Sequence, residues 1–247
     1  MGWKLFVFAV LLCTVSFQAR AELWNIVVDE WPPYSCSKCP EGGAGVKALK
    51  EALRTVNVDL EVTYLPWVHV LREVRTQKYL GYLAWPASVT KGYLLPAQAV
   101  FESKLIFVEN ATHPLEWSVL TDLKGKRIGL HEGSGYFNEF MDLVNKKVII
   151  PVINPSDNAR ILLVSQGKLD AALLDEENAK YYLEQMPDRF RSKIKINEHI
   201  LKIEGIYLVI SEKNRDKILV LEKALKNVNT QKIVDDYIRK LQSMKNQ

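Results

Sequence analysis

The sequence has few cysteines, no large excess of charge of either sign and no apolar run long enough to span a membrane. Lys and Arg number 33 against 29 Asp and Glu, which gives a net charge of only +4. A nucleic-acid-binding domain is expected to carry a strongly basic stripe, and a spanning helix needs about 20 apolar residues. These absences argue against a nucleic-acid partner and against an integral membrane protein. The length and the apolar content instead predict a globular chain with a substantial core.

The first 21 residues have the three parts of a secretion signal: the basic Lys4, an apolar run over residues 5–15 and small residues at the end of the segment 19–21. Cleavage after residue 21 would leave 226 residues with a net charge of +2, because two basic residues are removed. An uncleaved anchor is disfavoured because the run is about half the required length. A lipid on Cys13 is disfavoured because Leu12, and not a small residue, precedes it. We therefore expect a periplasmic protein.

Cleavage would leave two cysteines, Cys36 and Cys39, in an oxidising compartment where an even pair is expected to be bonded. We expect a small structural disulfide in a loop. A redox Cys-x-x-Cys or half of a zinc site would have the same spacing. No amphipathic helix starts at the first cysteine, which disfavours redox chemistry. A zinc site is disfavoured because the histidines lie far apart without ligand spacing: His69, His113, His131 and His199.

The order strand, helix, strand, helix, strand occurs twice along the chain. Hydrophobic periodicity predicts the first series as strands over residues 23–28, 60–64 and 79–85 with helices over 46–56 and 67–74. The second series has strands over 126–130, 148–153 and 169–174 with helices over 136–144 and 157–165. Such alternation implies parallel strands with crossover helices. The sequence therefore predicts two similar α/β units.

Two extended segments connect these units. Residues 104–108 lead from the first series to the second, and residues 205–210 cross back. The tail over residues 215–244 is amphipathic and helical in two pieces, and we expect it to pack on the first unit. We predict a first lobe of residues 22–108 and 206–247, a second lobe of residues 109–205, and a two-strand hinge between them.

Five motifs occur in the order found in one known family. They are Trp31-Pro32-Pro33-Tyr34, Leu65-Pro66-Trp67, the segment 121–129, Glu132-Gly133-Ser134-Gly135, and the segment 166–171 followed by Asp175. With these motifs the chain resembles the bacterial extracellular solute-binding proteins of family 3, the amino-acid-type binding proteins of ABC importers. The resemblance implies a type II periplasmic-binding-protein-like fold, a small-molecule ligand, an inner-membrane ABC permease as partner, a monomer and no cofactor.

The chain also departs from this family. Amino-acid binders of the family usually place Glu-Arg after the last strand of the first lobe, where the Arg binds the ligand carboxylate, and Thr90-Lys91 stands here. Lys supplies a charge but not a planar fork of donors. Gln77 and Leu80 replace a Gly and an Asp of the family. We therefore expect a small polar or zwitterionic ligand and doubt an ordinary α-amino acid.

Ligands of parallel α/β sheets bind beyond the carboxyl ends of the strands. On this basis, with the resemblance, we predict ten ligand-binding residues: Asp29, Trp31, Tyr34, Trp85, Ser88, Lys91, Ser134, Gly135, Tyr136 and Asp175. Ser134 to Tyr136 would open a helix, whose free N–H groups favour a carboxylate, although Ser134 could simply cap it. Asp175 could pair with an ammonium group or cap the helix predicted over residues 176–185.

Some residues keep alternative roles. Trp31, Trp67 and Trp85 could form stacking walls, but large aromatic residues often belong to the core. Arg72 is the fallback anion ligand if Lys91 points away.

Two functions compete with transport. One is an enzyme resembling cyclohexadienyl dehydratases, for which Asp175, Glu132 and His131 are the available titrating groups. The other is a sensor that presents its ligand to a membrane receptor. We assign no catalytic residue, because we recognise no nucleophile with a base, no metal cluster and no phosphate loop in the sequence.

Overall fold

The computed structural model describes residues 21–245. Cys13 and almost the whole predicted secretion signal lie outside the described residues. Within residues 21–245, no helix combines the length and the apolar character needed to cross a membrane.

The first lobe is built on three parallel strands. β1 (Glu22–Asp29) lies between β2 (Val58–Leu65) and β3 (Gly81–Ala84), and helices α1 (Ala44–Arg54) and α2 (Trp67–Val74) connect them. Helix α1 forms because its apolar residues fall on one face, which is buried on the sheet. The alternation predicted for this part of the chain is confirmed.

A short strand β4 (Tyr93–Leu94) and the long strand β5 (Phe101–Asn110) follow. The second lobe then repeats the arrangement with β6 (Arg127–His131) between β7 (Ile150–Asn154) and β8 (Ala171–Asp175), all parallel. Its connecting helices are α3 (Asn138–Asn145) and α4 (Asp157–Ser165). The carboxyl ends of three parallel strands are therefore available in each lobe.

The rest of the chain returns to the first lobe. Helices α5 (Glu176–Gln185) and α6 (Asp188–Arg191) precede β9 (Ile194–Ile196) and the long strand β10 (Lys202–Ser211). The tail forms two helices, as expected from its periodicity: α7 (Lys217–Asn227) and α8 (Thr230–Lys245).

The two long strands join the lobes. The first half of β10 pairs antiparallel with the first half of β5, the second half of β10 pairs with β3, and the second half of β5 pairs with β8. Strand pairing is therefore continuous in the order β2-β1-β3-β10-β5-β8-β6-β7. Within residues 21–245 these are the two strands that pass from one lobe to the other, and they form the two-strand hinge of the predicted two-lobed α/β fold.

Each lobe has its own apolar core. In the first lobe Trp24 of β1 and Leu49 of α1 pack with Leu225 of α7, so the tail helices cover this lobe as expected. In the second lobe Ile128 of β6 packs with Phe140 of α3. The residue bounds predicted for the two lobes stay a prediction.

Helix α3 begins later than predicted. We expected Ser134 to Tyr136 to open it, but the first helical residue is Asn138 and the extended Phe137 precedes it. Tyr136 and Phe137 are buried in the core of the second lobe, which holds the chain extended before the helix. The predicted cap at Ser134 is therefore wrong, and this helix N-terminus does not lie at Ser134.

Candidate functional site

The carboxyl ends of the parallel strands of both lobes face one shared space, which we call the interlobe cleft. Its polar and aromatic lining comes from both lobes: Asp29, Glu30, Trp31, Trp67, Trp85 and Ser88 from the first, and His131, Ser134, Tyr136, Asp157, Arg160, Asp175 and Asn178 from the second. Every parallel strand of the two lobes has a lining residue at its carboxyl end or in the segment that follows it.

The structure brings seven of the ten predicted site residues to the cleft lining: Asp29, Trp31, Trp85, Ser88, Ser134, Tyr136 and Asp175. Tyr34 and Gly135 lie behind this lining and make contacts between the lobes. Lys91 is exposed and does not line the cleft. The preceding Thr90 is held inward because both its N–H and its hydroxyl oxygen bond the Tyr82 hydroxyl, at 2.7 and 3.0 Å.

The fallback cation, Arg72, is also absent from the cleft lining. Its side chain is 68% exposed and lies beside Glu73. Neither cation proposed from the sequence is therefore in a position to bind an anion in the cleft.

Asp175 ends β8 and is buried. Its Oδ1 accepts the backbone N–H of Asn178 at 2.9 Å, which makes Asp175 the N-cap of α5, and its Oδ2 accepts the Tyr34 hydroxyl at 3.3 Å. Loss of hydration on burial is the largest influence on this carboxyl and raises its pKa from 3.8 to about 7, despite these two hydrogen bonds. The cap role of Asp175 is confirmed, and its contact with a ligand stays a prediction.

Asp29 ends β1 on the opposite side of the cleft. Its Oδ1 accepts the Ser35 hydroxyl at 3.5 Å. Burial, with repulsion from Asp157 as the next largest cause, raises the pKa of this carboxyl from 3.8 to about 7. Two carboxyls that titrate near neutrality therefore line one cleft, one from each lobe.

An ion pair that sequence reasoning missed lies in the cleft wall. Arg160 of α4 is buried and its Nη2 pairs with the Asp157 carboxylate three residues earlier. Its Nη1 donates to the Leu173 carbonyl at 2.8 Å. The position of Asp157 after β7 could have indicated a site residue, because the other site residues also follow strands. Arg160 gave no such signal, because a charged residue of an amphipathic helix usually faces solvent.

Asn178 of α5 is another lining residue that we did not predict. Its Nδ2 donates to the Pro32 carbonyl at 2.6 Å, which fixes the orientation of the amide, because a carbonyl oxygen accepts only from the NH₂ group. Its Oδ1 is buried and has no hydrogen-bond partner among the described residues. A buried acceptor without a partner is unfavourable and is expected to receive a donor.

Aromatic side chains pack together at the first-lobe side of the cleft. The Trp31 ring lies 4.6 Å from Tyr34 and 5.2 Å from Trp85, measured between centroids. The indole Nε1 of Trp85 donates to the Ser103 hydroxyl at 3.1 Å, which fixes that ring. The loop after β1, which carries Trp31 and Tyr34, also contains the bonded pair Cys36–Cys39. The predicted disulfide is therefore present next to the site.

The two lobes touch across the cleft. Gly135 N–H donates to Ser88 Oγ at 3.0 Å, in addition to the Tyr34–Asp175 and Asn178–Pro32 hydrogen bonds. A Cβ atom on Gly135 would lie 2.1 Å from the Ala87 carbonyl oxygen, so only glycine permits this approach. The structure is therefore a closed form of the cleft.

His131 lines the second-lobe side, and its ring Nδ1 lies 3.4 Å from Ser134 Oγ. Burial is the main influence on this ring and lowers its pKa below the usual 6.5. The imidazole is therefore neutral at neutral pH and adds no positive charge to the cleft.

No protein-family model matches the sequence, and no curated protein sequence matches it. Solved structures do match the fold. The chain is similar to a histidine kinase sensor domain that resembles periplasmic binding proteins, with a TM-score of 0.73, 14% identity, and coverage of 90% of this chain and 96% of that one. It is also similar to AbpA, an arginine-bound amino acid ABC transporter substrate-binding protein from Streptococcus pneumoniae, with a TM-score of 0.69, 16% identity, and coverage of 88% and 94%.

A third structure is the GluR0 ligand-binding core in complex with L-glutamate, with a TM-score of 0.70, 15% identity, and coverage of 89% and 98%. Ligands of opposite charge thus occur on this fold, so the fold alone does not define the ligand. The chain has the fold of the amino acid substrate-binding proteins, as the sequence motifs predicted.

Proposed function

We propose that this chain is an exported solute-binding protein that captures a small polar ligand in the interlobe cleft and delivers it to an ABC importer. The observation that carries the proposal is the cleft itself. Both lobes contribute polar and aromatic groups to one space, and two strands connect the lobes in the part of the chain that the structure describes. Such a hinge lets the lobes close over a ligand and release it.

The predicted secretion signal and the disulfide support a periplasmic location. The substrate-binding proteins that share the fold support a transport role and a small-molecule ligand. The ligand-binding residues that we propose are the seven predicted ones in the cleft lining, together with Asp157, Arg160 and Asn178. Tyr34 and Gly135 hold the closed form.

A sensor is the second candidate, because a histidine kinase sensor domain is among the structures of similar fold. Uptake distinguishes the two functions. Cells that lack this chain should lose uptake of the labelled ligand if it serves an importer. If uptake is unchanged while a transcriptional response to the ligand is lost, the chain serves a receptor.

Binding itself is tested by a thermal-shift screen across amino acids, amines, organic acids, sugars and short peptides. A ligand selective for the native state must raise the melting temperature. Replacing Trp85 with Ala should abolish the shift if the ligand occupies the cleft. The proposal fails if no class raises the melting temperature, or if a bound compound is chemically converted, which would indicate an enzyme.

A further inference from the structure

The charges of the cleft are unequal. Its lining carries four carboxyl groups and one guanidinium: Asp29, Glu30, Asp157, Asp175 and Arg160. The neutral His131 does not change this balance. The cleft therefore favours a positively charged ligand, while the whole chain carries a net positive charge.

The guanidinium is already paired within the protein. Arg160 uses Nη2 for the Asp157 carboxylate and Nη1 for the Leu173 carbonyl, and its Nε has no partner among residues 21–245. Bidentate recognition of a carboxylate needs two parallel N–H groups. The positive charge of Arg160 is already offset by Asp157, and separating the partners of such a buried pair is strongly unfavourable.

Two acids of the cleft, Asp29 and Asp175, lack a cationic partner among the described residues. Within residues 21–245, no Lys or Arg forms an ion pair with Asp29 or Asp175. Burial raises the pKa of both carboxyls, which shows that their ionised forms are poorly stabilised by the protein. A cationic ligand would supply the missing charge.

A second and independent observation points to a donor-rich ligand. The buried Oδ1 of Asn178 has no partner in the described part of the chain, and Asn178 stands one helical turn from Asp175, whose carboxylate accepts the Asn178 N–H. A group of hydrogen-bond acceptors with no unpaired cation beside it is suited to bind the N–H groups of an ammonium or guanidinium. Trp31 and Trp85 also line the cleft, and aromatic rings attract cations.

We infer that the interlobe cleft binds a small organic cation, an ammonium or guanidinium compound without a carboxylate, in preference to the α-amino acid with the same side chain. Asp175, Asn178 and Asp29 accept its N–H groups, and the tryptophans cover its apolar part. The inference rests on the proposed binding function and specifies the ligand class for that site.

Matched probes that differ only by the carboxylate test this inference. Agmatine is compared with arginine, and cadaverine with lysine, by isothermal titration calorimetry on the mature protein. We expect at least one of the two decarboxylated compounds to bind, and to bind at least tenfold more tightly than its amino acid. Equal or tighter binding of the amino acids overturns the inference, and so does a lack of binding by both amines.

A variant identifies the group that holds the cation. Asp175→Asn keeps a side-chain acceptor for the α5 cap and removes only the negative charge, since Asn and Asp cap helices about equally well. We expect it to weaken binding of the amine at least tenfold, whereas Asp170→Asn, which removes a carboxylate paired with Arg127 outside the cleft lining, leaves the affinity unchanged. Unchanged affinity in Asp175→Asn overturns the assignment.

The two proposals can fail separately. If a neutral or anionic compound from the broad screen binds and Trp85→Ala abolishes its binding, the cation inference is wrong and the solute-binding function stands. If no compound of any class binds, the solute-binding function itself is wrong, and the inference is overturned with it.

Discussion

Asp175→Asn should change how the stability of the ligand-free protein depends on pH. The Asp175 carboxyl has a pKa of about 7 in the folded protein against its ordinary value of 3.8. Between these values the folded state holds a proton that the unfolded state has lost, so stability falls as pH rises through this window. Above about pH 7 both states have lost the proton and this contribution becomes constant.

The size of the effect follows from the shift. One pKa unit corresponds to about 1.36 kcal/mol, so the difference of about three pKa units costs the wild-type protein roughly 4 kcal/mol as the pH rises from about 3 to about 8. Asn cannot titrate, but it is the isostere of the protonated carboxyl and keeps an acceptor for the Asn178 N–H. The variant should match the wild type at about pH 3 and exceed it by roughly 4 kcal/mol at about pH 8.

Urea unfolding followed by tryptophan fluorescence, at a series of pH values, measures this difference from the midpoints at constant m-value. Asp170→Asn is the control, because its effect on stability should have the opposite dependence on pH. The pKa of Asp170 is lowered, chiefly by its hydrogen bonds from Arg127, so this variant should be less stable than the wild type at neutral pH and approach it in acid. Parallel pH profiles for wild type and Asp175→Asn would refute the reasoning, because they would mean that Asp175 does not hold its proton to near neutrality.

Three further outcomes are expected. Affinity for agmatine or cadaverine should fall as the pH drops below about 7, because protonation removes the negative charge of the cleft carboxylates. Each carboxylate that contacts the cation should contribute a loss of about tenfold per pH unit. Calorimetry that finds the same affinity throughout the range from about pH 5 to 8 would contradict this. Gly135→Ala should weaken ligand binding at least tenfold, because its Cβ would strike the Ala87 carbonyl oxygen in the closed form; retention of full affinity would show that closure tolerates the methyl group. Replacing Cys36 and Cys39 together with Ser should lower the free energy of unfolding by about 2 kcal/mol, as closure of so short a loop predicts, and a variant as stable as the oxidised wild type would refute this.

The fold was accessible from the sequence because its pattern repeats. Strand-length apolar segments alternate with amphipathic helical segments in both lobes, and this periodicity depends on local burial alone. The start of α3 was not accessible, because Tyr136 and Phe137 fit a helical pattern but are held extended by their burial in the second-lobe core. Tertiary packing there overrides the local preference.

The site was partly accessible for a different reason. Residues that follow parallel strands, such as Asp29, Trp85 and Asp175, were found because all carboxyl ends of a parallel sheet point the same way. Lys91 follows a strand as well, but the direction of its side chain depends on the hydrogen bonds of Thr90 with Tyr82, which no local pattern reveals. Arg160 was missed because its burial depends on the partner Asp157 one turn away.

The charge of the cleft links recognition to closure. The closed form buries Asp175 and brings Asp29 near Asp157, and the chain provides no cation for either unpaired acid among its described residues. Closure without a ligand is therefore opposed by desolvation of these carboxylates at neutral pH. A bound cation would offset that cost only in the closed form, where it contacts both lobes. Because a ligand shifts a conformational equilibrium by its difference in affinity for the two states, such a cation favours closure. It follows that a cation should drive closure more strongly near pH 8 than near pH 5, where protonated Asp29 and Asp175 let the lobes close without it.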